Sequence, residues 1–323
     1  MKTKTLTFII LFTFILGLGC VSEDNVQTID EVVKLAESIA DDNQIAEKNQ
    51  PTHDNQKPDL PFGENTSDDT IRIGAFNIQV FGVSKADKPE VMNILADIVR
   101  TYDVVAIQEI RDKSQTALPE LIDLVNSDGS EYDYVVSERL GRTISKEQYA
   151  YVYNTQNVAV NDAYTYPEPD GTDPFHRQPY IVSIEALQGN YDATLIVIHT
   201  DPDEATQEIN GLDDVLSYAQ SKNPEEGDFI IMGDLNADGS YFDEDGTSDL
   251  DAYQWVIDDT VDTTTKSTDY TYDRIILTDE SDLAGESGVF RYDLEYGLDE
   301  ELTTDVSDHY PVFVEFTTIR DLD

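Results

Sequence analysis

The feature that most constrains the fold is a series of short β-rich runs that begins at residue 70. Val, Ile, Tyr and Phe are concentrated in these runs, as is typical of strands in packed sheets. They cover residues 71–77, 104–108, 132–136, 149–153, 180–184, 194–199, 229–232, 274–277 and 312–316. Helical periodicity appears at about 87–101, 116–127 and 203–221. Because strands outnumber helices and short turns separate several of them, the sequence predicts an α+β fold with packed sheets and outer helices.

The first twenty residues have the pattern of an export signal. Lys2 and Lys4 precede an almost unbroken apolar run from Leu6 to Leu18, which is short for a membrane span and typical of a signal peptide. Small residues then lead to Cys20, so the segment resembles the lipobox of prokaryotic lipoproteins. We expect Cys20 to carry a lipid that tethers the chain to a membrane outside the cytoplasm. The alternative is a simple secretory signal in which Cys20 is incidental.

Residues 21–68 differ from the rest of the chain in composition. They are rich in acids, contain Pro51, Pro58 and Pro61, and have Phe62 as their single Phe, Tyr or Trp. Such a stretch buries too little apolar surface to fold alone and is typical of a flexible stalk. The sequence therefore predicts a signal at 1–20, an acidic stalk at 21–68 and a folded domain at 69–323.

Composition excludes several kinds of function and of site. The chain carries 67 acidic and 20 basic side chains, for a net charge of −47. Non-specific affinity for nucleic acid comes from Lys and Arg, so a nucleic-acid coat protein is excluded. Cys20 is the single cysteine, which excludes an intrachain disulfide and a cysteine-based zinc site.

Four of the predicted strands end in polar residues that can take part in catalysis. In chain order, these residues are Asn77; Glu109 with Arg111; His199; and Asp234 with Asn236. An apolar strand that ends in an acid, an amide or an imidazole holds that side chain on rigid scaffolding. A polar residue after one strand alone would be read as a turn former, but four such strand ends in one domain indicate a site.

Asp308 and His309 stand side by side at the start of the last predicted strand. An adjacent Asp and His can set a metal ligand beside a general base. Of the four histidines, His199 and His309 lie at strand boundaries, whereas His53 and His176 lie in the stalk and in a loop. We therefore expect His199 and His309 to be the functional imidazoles.

Five of the nine arginines lie in the same segments as these candidates. They are Arg111, Arg139, Arg142, Arg177 and Arg274. In a chain this acidic, arginines close to a site can hold an anionic ligand, because the guanidinium fork suits phosphate. The alternative is ordinary salt bridging to the abundant carboxylates.

Six short motifs contain most of these candidates. They are AFNI at 75–78, QEIRD at 108–112, SERLGR at 137–142, GDLNAD at 233–238, YDR at 272–274 and SDHYP at 307–311. In this order they resemble the deoxyribonuclease I family of the endonuclease/exonuclease/phosphatase superfamily, over about residues 70–316. SERLGR and YDR are more typical of the deoxyribonuclease branch than of the phosphatases. The resemblance implies a four-layer α/β/β/α sandwich with two central, mostly antiparallel sheets.

The resemblance also implies a role for each candidate residue. The catalytic set would be His309 paired with Asp273, His199 paired with Glu147, and Asp234 with Asn236. The ligands of a divalent metal would be Glu109, Asp308 and Asn77. The substrate-binding arginines would be Arg111, Arg177 and Arg142. All-oxygen ligands suit Mg²⁺ or Mn²⁺, and which histidine is the base stays open.

The function that the resemblance implies is metal-dependent hydrolysis of DNA phosphodiester bonds by a monomer, leaving 5′-phosphate and 3′-hydroxyl ends. Two other functions are compatible with the fold. One is a phosphomonoesterase or phospholipid phosphodiesterase, against which the arginine-bearing segment 137–142 counts. The other is a non-enzymatic surface-binding module, against which the complete catalytic set counts.

Two acidic loops are candidates for structural Ca²⁺. Asp262, Thr264 and Thr268 match a calcium loop of the family. A second loop has calcium-loop spacing with Gly246 at its turn, and its candidate ligands are Asp243, Asp245 and Asp249. The alternative for this second loop is an acidic segment that water solvates.

The sequence departs from the family at positions that contact DNA. Gln79 stands where the family usually has an arginine, and Ser145 stands where a tyrosine packs into the minor groove. Gly239 and Tyr270 occupy the two positions of a family disulfide. We therefore expect catalysis with a weakened or altered preference for duplex DNA.

Overall fold

The computed structural model describes residues 69–169, 171–244 and 246–321. Four predictions lie outside these ranges: the signal at 1–20, the stalk at 21–68, the lipid on Cys20 and the calcium ligand Asp245. Within these ranges, no helix combines the length and the apolar character that crossing a bilayer would require.

Two six-stranded sheets form the centre of the described domain. The strands are β1 (Thr70–Phe81), β2 (Val104–Ile110), β3 (Tyr132–Val136), β4 (Gln148–Asn154), β5 (Val158–Thr165), β6 (Tyr180–Ala186), β7 (Asp192–His199), β8 (Phe229–Asp234), β9 (Gln254–Trp255), β10 (Asp273–Leu277), β11 (Leu283–Val289) and β12 (Val312–Thr317). Sheet 1 has the order β11-β12-β1-β2-β4-β3, and sheet 2 has the order β5-β6-β7-β8-β10-β9. Among the described strands, β1–β2 and β7–β8 are parallel, and the other neighbours are antiparallel.

Helices cover the outer faces of both sheets. They are α1 (Val83–Ala86), α2 (Pro89–Val99), α3 (Ala117–Val125), α4 (Ala205–Asn210), α5 (Leu212–Lys222), α6 (Tyr292–Tyr296) and α7 (Glu300–Val306), with a 3₁₀ turn at Asn126–Asp128. α2 and α3 pack on sheet 1, and α5 packs on sheet 2. Pro89 begins α2, where its missing N–H leaves no helical hydrogen bond unmade.

The inner strands are apolar on both faces because each sheet is covered by the other sheet on one face and by helices on the other. In β1, Ile71 and Ile73 point towards sheet 2, whereas Phe76 and Ile78 point towards the helices. This explains why the strands read as continuous apolar runs rather than as alternating ones. Each fully buried side chain of this size contributes about 1.5–3 kcal/mol, so the core between the sheets and the cores under the helices all contribute to stability.

The predicted α+β sandwich is confirmed, and each of the predicted strands is present. The sequence missed β5, β9 and β11. β5 is mostly half-buried and β11 mostly exposed, both at sheet edges, and β11 contains two glycines, so both lack the apolar density of an inner strand. The single helix expected at 203–221 is two helices that meet at Gly211.

Candidate active site

The parallel strand pairs bring the polar candidates to one edge of the domain, although Asn77 and Glu109 lie inside β1 and β2 rather than at their predicted ends. Asn77 of β1 lies beside Gln108 of β2, and His199 of β7 lies beside Asp234 of β8. The β1–β2 register shifts after Asn77, and Glu109 has a φ of 61°. Irregularities of this kind re-aim side chains and are frequent beside active sites.

His309 and Asp273 form the first imidazole–carboxylate pair. Nδ1 of His309 lies 2.7 Å from Oδ2 of Asp273. The Ser307 hydroxyl accepts from the His309 backbone N–H and donates to the carbonyl of Asn77, which fixes this segment against β1. Burial lowers the pKa of His309, but the charges of Asp273 and Asp234 outweigh it and raise the pKa to about 10. The ring therefore carries a proton at neutral pH.

His199 and Glu147 form the second pair, with Nδ1 of His199 2.9 Å from Oε2 of Glu147. The Tyr149 hydroxyl accepts from the His199 backbone N–H at 2.9 Å. Burial raises the pKa of Glu147, but His199, Arg177 and Arg111 lower it to about 2. Burial and Arg177 lower the pKa of His199, yet the charge of Glu147 leaves it above its ordinary value.

Asp234 lies between the two imidazoles. Its Oδ2 is 3.5 Å from Nε2 of His199 and 3.5 Å from Nε2 of His309. The same oxygen accepts from Nδ2 of Asn77 at 2.9 Å, and Oδ1 accepts from the backbone N–H of Asn236 at 3.1 Å. Burial raises the pKa of Asp234, but the two imidazoles lower it below its ordinary value. Asp234 is therefore a carboxylate shared by both rings.

Each imidazole–carboxylate pair joins the two sheets. His199 ends β7 in sheet 2, whereas Glu147 immediately precedes β4 in sheet 1. His309 precedes β12 in sheet 1, whereas Asp273 begins β10 in sheet 2. Neither sheet alone holds a complete pair.

The predicted metal ligands Glu109, Asn77 and Asp308 lie beside the imidazoles, with Oδ1 of Asp308 3.8 Å from Nε2 of His309. Oε1 of Glu109 is 3.4 Å from Nδ2 of Asn77, and Oε2 of Glu109 accepts from the backbone N–H of Val80 at 2.7 Å. Oδ1 of Asn77 and Oδ1 of Asp308 are buried without a hydrogen-bond partner. A buried oxygen left unpaired costs free energy unless an ion or water uses it, and oxygen donors are those that Mg²⁺ prefers.

Asp234, Asp273 and His309 form an overlapping group whose ligand atoms lie within 4.8 Å of one another. Nδ1 of His309 is already engaged by Asp273, and a hard cation prefers oxygen to imidazole. The ligand set of Glu109, Asn77 and Asp308 stays a prediction.

The sequence profile of the Endonuclease/Exonuclease/phosphatase family matches residues 74–309. The chain belongs to this family. It is similar to deoxyribonuclease-1 of Bos taurus, with 37% identity over 262 residues that cover 77% of this chain and 93% of that protein. It is also similar to deoxyribonuclease gamma of Mus musculus, with 37% identity over 266 residues, 77% of this chain and 86% of that protein. The predicted deoxyribonuclease I-like enzyme of this family is thereby confirmed.

Solved structures show the same fold at much lower identity. A mannosyl-6-phosphatase of Bacteroides thetaiotaomicron superposes with a TM-score of 0.52 at 13% identity, covering 76% of this chain and 98% of that chain. At this identity the likeness concerns the fold alone. It agrees with the two-sheet sandwich described above.

Arg111 links the proposed metal ligand to an imidazole pair. Its Nε lies 3.1 Å from Oε2 of Glu109, and its Nη2 lies 2.9 Å from Oε1 of Glu147. One third of the Arg111 side chain is exposed, so the family's substrate contact stays a prediction for it. Arg142 lies farther out in an ion pair with Glu204 at 2.8 Å, and its substrate contact also stays a prediction.

Arg177 lies beneath the site rather than on its surface. Its side chain is 7% exposed and donates to the backbone carbonyls of His199 and Thr200 at 3.0 and 2.9 Å. Because its donors point at protein acceptors, we expect Arg177 to position His199 rather than to reach the DNA groove. Asn236, with a φ of 47°, donates to the same Thr200 carbonyl at 3.2 Å.

The two calcium predictions fall on loops of different character. In the first loop, the Thr264 hydroxyl lies 2.8 Å from Oδ1 of Asp262 and 2.7 Å from the carbonyl of Thr268. In the second loop, Asp243 and Asp249 are exposed, as expected of solvated acids. Calcium stays a prediction in both loops.

Of the positions that depart from the family pattern, Gln79 and Ser145 are accessible to solvent, whereas Gly239 and Tyr270 pack against each other. Gln79 is partly exposed and Ser145 is exposed, so both can meet a ligand. The Tyr270 ring packs over Gly239, where a Cβ would lie 2.9 Å from the ring. The resemblance implies a disulfide at these two positions in the family, and here Tyr270 also stacks on Tyr272 with ring centroids 5.1 Å apart.

Sequence reasoning missed Lys85, which lies under the metal-ligand candidates. Its Nζ donates to the carbonyl of Val306 at 2.7 Å. Burial lowers the pKa of Lys85 to about 8, against the charges of Asp308 and Glu109. A lysine in a short surface helix carries no pattern that would mark it. Thr200 and Tyr149 were missed for the same reason, since an ordinary turn and an ordinary strand contain them.

Proposed function

We propose that this chain is a divalent-metal-dependent endonuclease that hydrolyses DNA phosphodiester bonds and leaves 5′-phosphate and 3′-hydroxyl ends. The observation that carries the proposal is the convergence of two carboxylate-bound imidazoles on Asp234, with each Nε2 3.5 Å from Oδ2. The similarity to deoxyribonuclease-1 of Bos taurus supports DNA as the substrate.

The two imidazoles have different electrostatic surroundings, which supports different roles for them. Hydrolysis needs a base for the attacking water and an acid for the departing 3′ oxygen. The charges that act most strongly on His309 are carboxylates, and they raise its pKa to about 10. On His199, the charge of Arg177 opposes protonation. We assign proton donation to Nε2 of His309 and proton acceptance to Nε2 of His199.

Asp234 and Asn236 would orient the water and hold the phosphate. Asp234 stays ionised because its pKa is lowered by both imidazoles, so its oxygen can accept a hydrogen bond from the attacking water. Asn236 is held by its backbone N–H to Asp234 and by its amide to Thr200. A side chain held in this way loses little entropy when it binds a phosphate oxygen.

Glu109, Asn77 and Asp308 would hold the ion, which we expect to be Mg²⁺ or Mn²⁺. When bound, such an ion supplies positive charge to the phosphate oxygens during hydrolysis. Arg111 bonds to Glu109 at 3.1 Å and would keep this carboxylate oriented. Ca²⁺ would bind separately, in the loop of Asp262.

We also propose that the protein is exported and acts as a monomer, tethered to a membrane by a lipid on Cys20. The apolar run that ends in small residues before Cys20 supports this location. In this arrangement residues 21–68 would be the stalk and residues 69–323 the catalytic domain. Cys20→Ser should abolish metabolic labelling with palmitate, and labelling that persists in this variant would contradict the tether.

The activity is tested with supercoiled plasmid in Mg²⁺, in Mg²⁺ with Ca²⁺, and in chelator. We expect nicking that requires the metal and that falls by on the order of 10³-fold in His309→Ala. His176→Ala is the matched control, because His176 lies outside the imidazole pairs and bonds to Asp201. Equal nicking by both variants would contradict the proposal. Phosphate release from small esters without nicking would favour the phosphomonoesterase instead.

A further inference from the structure

Three aspartates form a cluster at the edge of the domain opposite the candidate active site. Asp228 immediately precedes β8 and Asp282 immediately precedes β11, whereas Asp321 follows β12. The catalytic residues of sheet 2 lie at the other ends of β7 and β8. This cluster is therefore separate from the ligand set of Glu109, and it involves neither of the predicted calcium loops.

The spacing of the cluster suits a calcium ion. One carboxylate oxygen of each aspartate lies within 4.8 Å of the other two. Ca²⁺ binds oxygen at about 2.3–2.6 Å, so two oxygens on one ion are at most about 5 Å apart. Asp228 and Asp282 are 4% and 2% exposed. Buried carboxylates this close repel one another strongly unless positive charge is placed between them.

A second observation at the cluster also points to a ligand. Tyr191 is fully buried, and its hydroxyl has no hydrogen-bond partner within the described ranges. The charges that act on this hydroxyl are those of Asp228, Glu226, Asp282 and Asp321, so it lies close to the cluster. Oδ1 of Asp282 is likewise buried and unpaired. Two orphaned oxygen atoms at one place indicate a bound group that uses them.

We propose that Asp228, Asp282 and Asp321 bind one calcium ion that fastens the two sheets together. Asp228 belongs to sheet 2, whereas Asp282 and Asp321 flank strands of sheet 1. Next to them, Tyr191 already stacks on Phe316 of β12, with ring centroids 5.1 Å apart. The ion would add a cross-link between the sheets in a chain whose single cysteine rules out an intrachain disulfide.

Asp282→Asn and its neighbour Glu280→Gln form a matched pair for the test. Each removes one charge from the same turn, but Glu280 is exposed and outside the cluster. Calcium binding is counted by isothermal titration, and thermal unfolding is followed in Ca²⁺ and in chelator. We expect Asp282→Asn to bind one calcium ion fewer than Glu280→Gln. At Ca²⁺ 100-fold above Kd, its calcium-induced rise in Tm should be smaller by about 5–10 °C.

In chelator the order of stability should reverse, because Asp282→Asn relieves the repulsion among the three carboxylates. A purely structural role of Asp282 would instead lower Tm equally with and without Ca²⁺. If Asp282→Asn does not fold, Asp321→Asn replaces it in the same two measurements, because Asp321 is partly exposed. Equal calcium stoichiometry in the folded variant and in Glu280→Gln would overturn the proposal. Nicking activity in Mg²⁺ should not differ between them.

Discussion

Replacing Asp273 by Asn tests the electrostatics of the His309 pair. Asp273 is fully buried, and its Oδ2 lies 2.7 Å from Nδ1 of His309. The amide has nearly the same shape as the carboxylate, so the change removes charge and leaves the packing. Asp269→Asn is the control, because it makes the same chemical change at an exposed position in the loop that precedes β10.

The expected change in the pKa of His309 follows from the charges around its ring. The step from its ordinary pKa of 6.5 to about 10 corresponds to about 5 kcal/mol between the two protonation states. Asp273 is the strongest of the carboxylates that raise it. An opposite charge in contact shifts a pKa by about 1–3 pH units. We expect Asp273→Asn to lower the pKa of His309 by about that amount.

The raised pKa also predicts how stability changes with pH. In the control, protonated His309 stabilises the fold fully below pH 6.5, and this stabilisation is lost as pH rises through about 10. The free energy of unfolding of Asp269→Asn minus that of Asp273→Asn should therefore decrease as pH rises from 6.5 to about 10. Lys85 and Glu208, whose pKa values are shifted to about 8 and about 7, titrate in both variants and cancel.

The assay is NMR titration of ring carbons in metal-free protein labelled at its four histidines, with denaturant unfolding at each pH. Turnover in Mg²⁺ should fall by on the order of 10³–10⁴-fold, as when a carboxylate that orients a catalytic imidazole is lost. The reasoning is refuted if His309 titrates near 6.5 in the control, or if its titration is the same in both variants.

Three further changes test other parts of the site and fold. Glu147→Gln should lower kcat by on the order of 10³-fold with little change in KM, because this carboxylate orients His199; unchanged kcat in plasmid nicking would contradict this. Gln79→Arg combined with Ser145→Tyr should tighten duplex binding and move the cut-site profile towards that of bovine deoxyribonuclease-1, whereas an unaltered profile would count against the groove argument. Gly233→Ala should destabilise the fold by about 3 kcal/mol or more in denaturant unfolding, because Gly233 has a φ of 132° and its Cβ would lie 2.1 Å from a backbone oxygen; a loss under about 0.5 kcal/mol would show that the strand adapts.

The placement of the site could be predicted because strand ends are a local property of sequence. His199 and Asp234 each end a strand, Asn77 lies where the β1–β2 register shifts, and the parallel pairing of these strands brings all three to one edge. The pairing partners Glu147 and Asp273 came from the family resemblance instead. Nothing local distinguishes Glu147 from the other acids of the chain.

The roles of the arginines could not be predicted because they depend on burial. The family resemblance implies the same role, substrate contact, for both Arg111 and Arg177. In the structure, the Arg111 side chain is one third exposed, whereas that of Arg177 is 7% exposed beneath His199. A sequence pattern can indicate which residues are near a site, but how deeply a side chain is buried there depends on the packing of strands that are distant in sequence. The same limit applies to Lys85, whose surroundings come from three separate segments.

The way both imidazole–carboxylate pairs span the two sheets makes catalysis a property of the finished sandwich. A nascent or partly opened chain, with one layer formed and the other loose, would have imidazoles without their orienting carboxylates. Such a chain would leave the genetic material of the cell that makes it intact until folding ends. For a hydrolase proposed to be exported, this architecture means that activity appears only after both sheets have folded together.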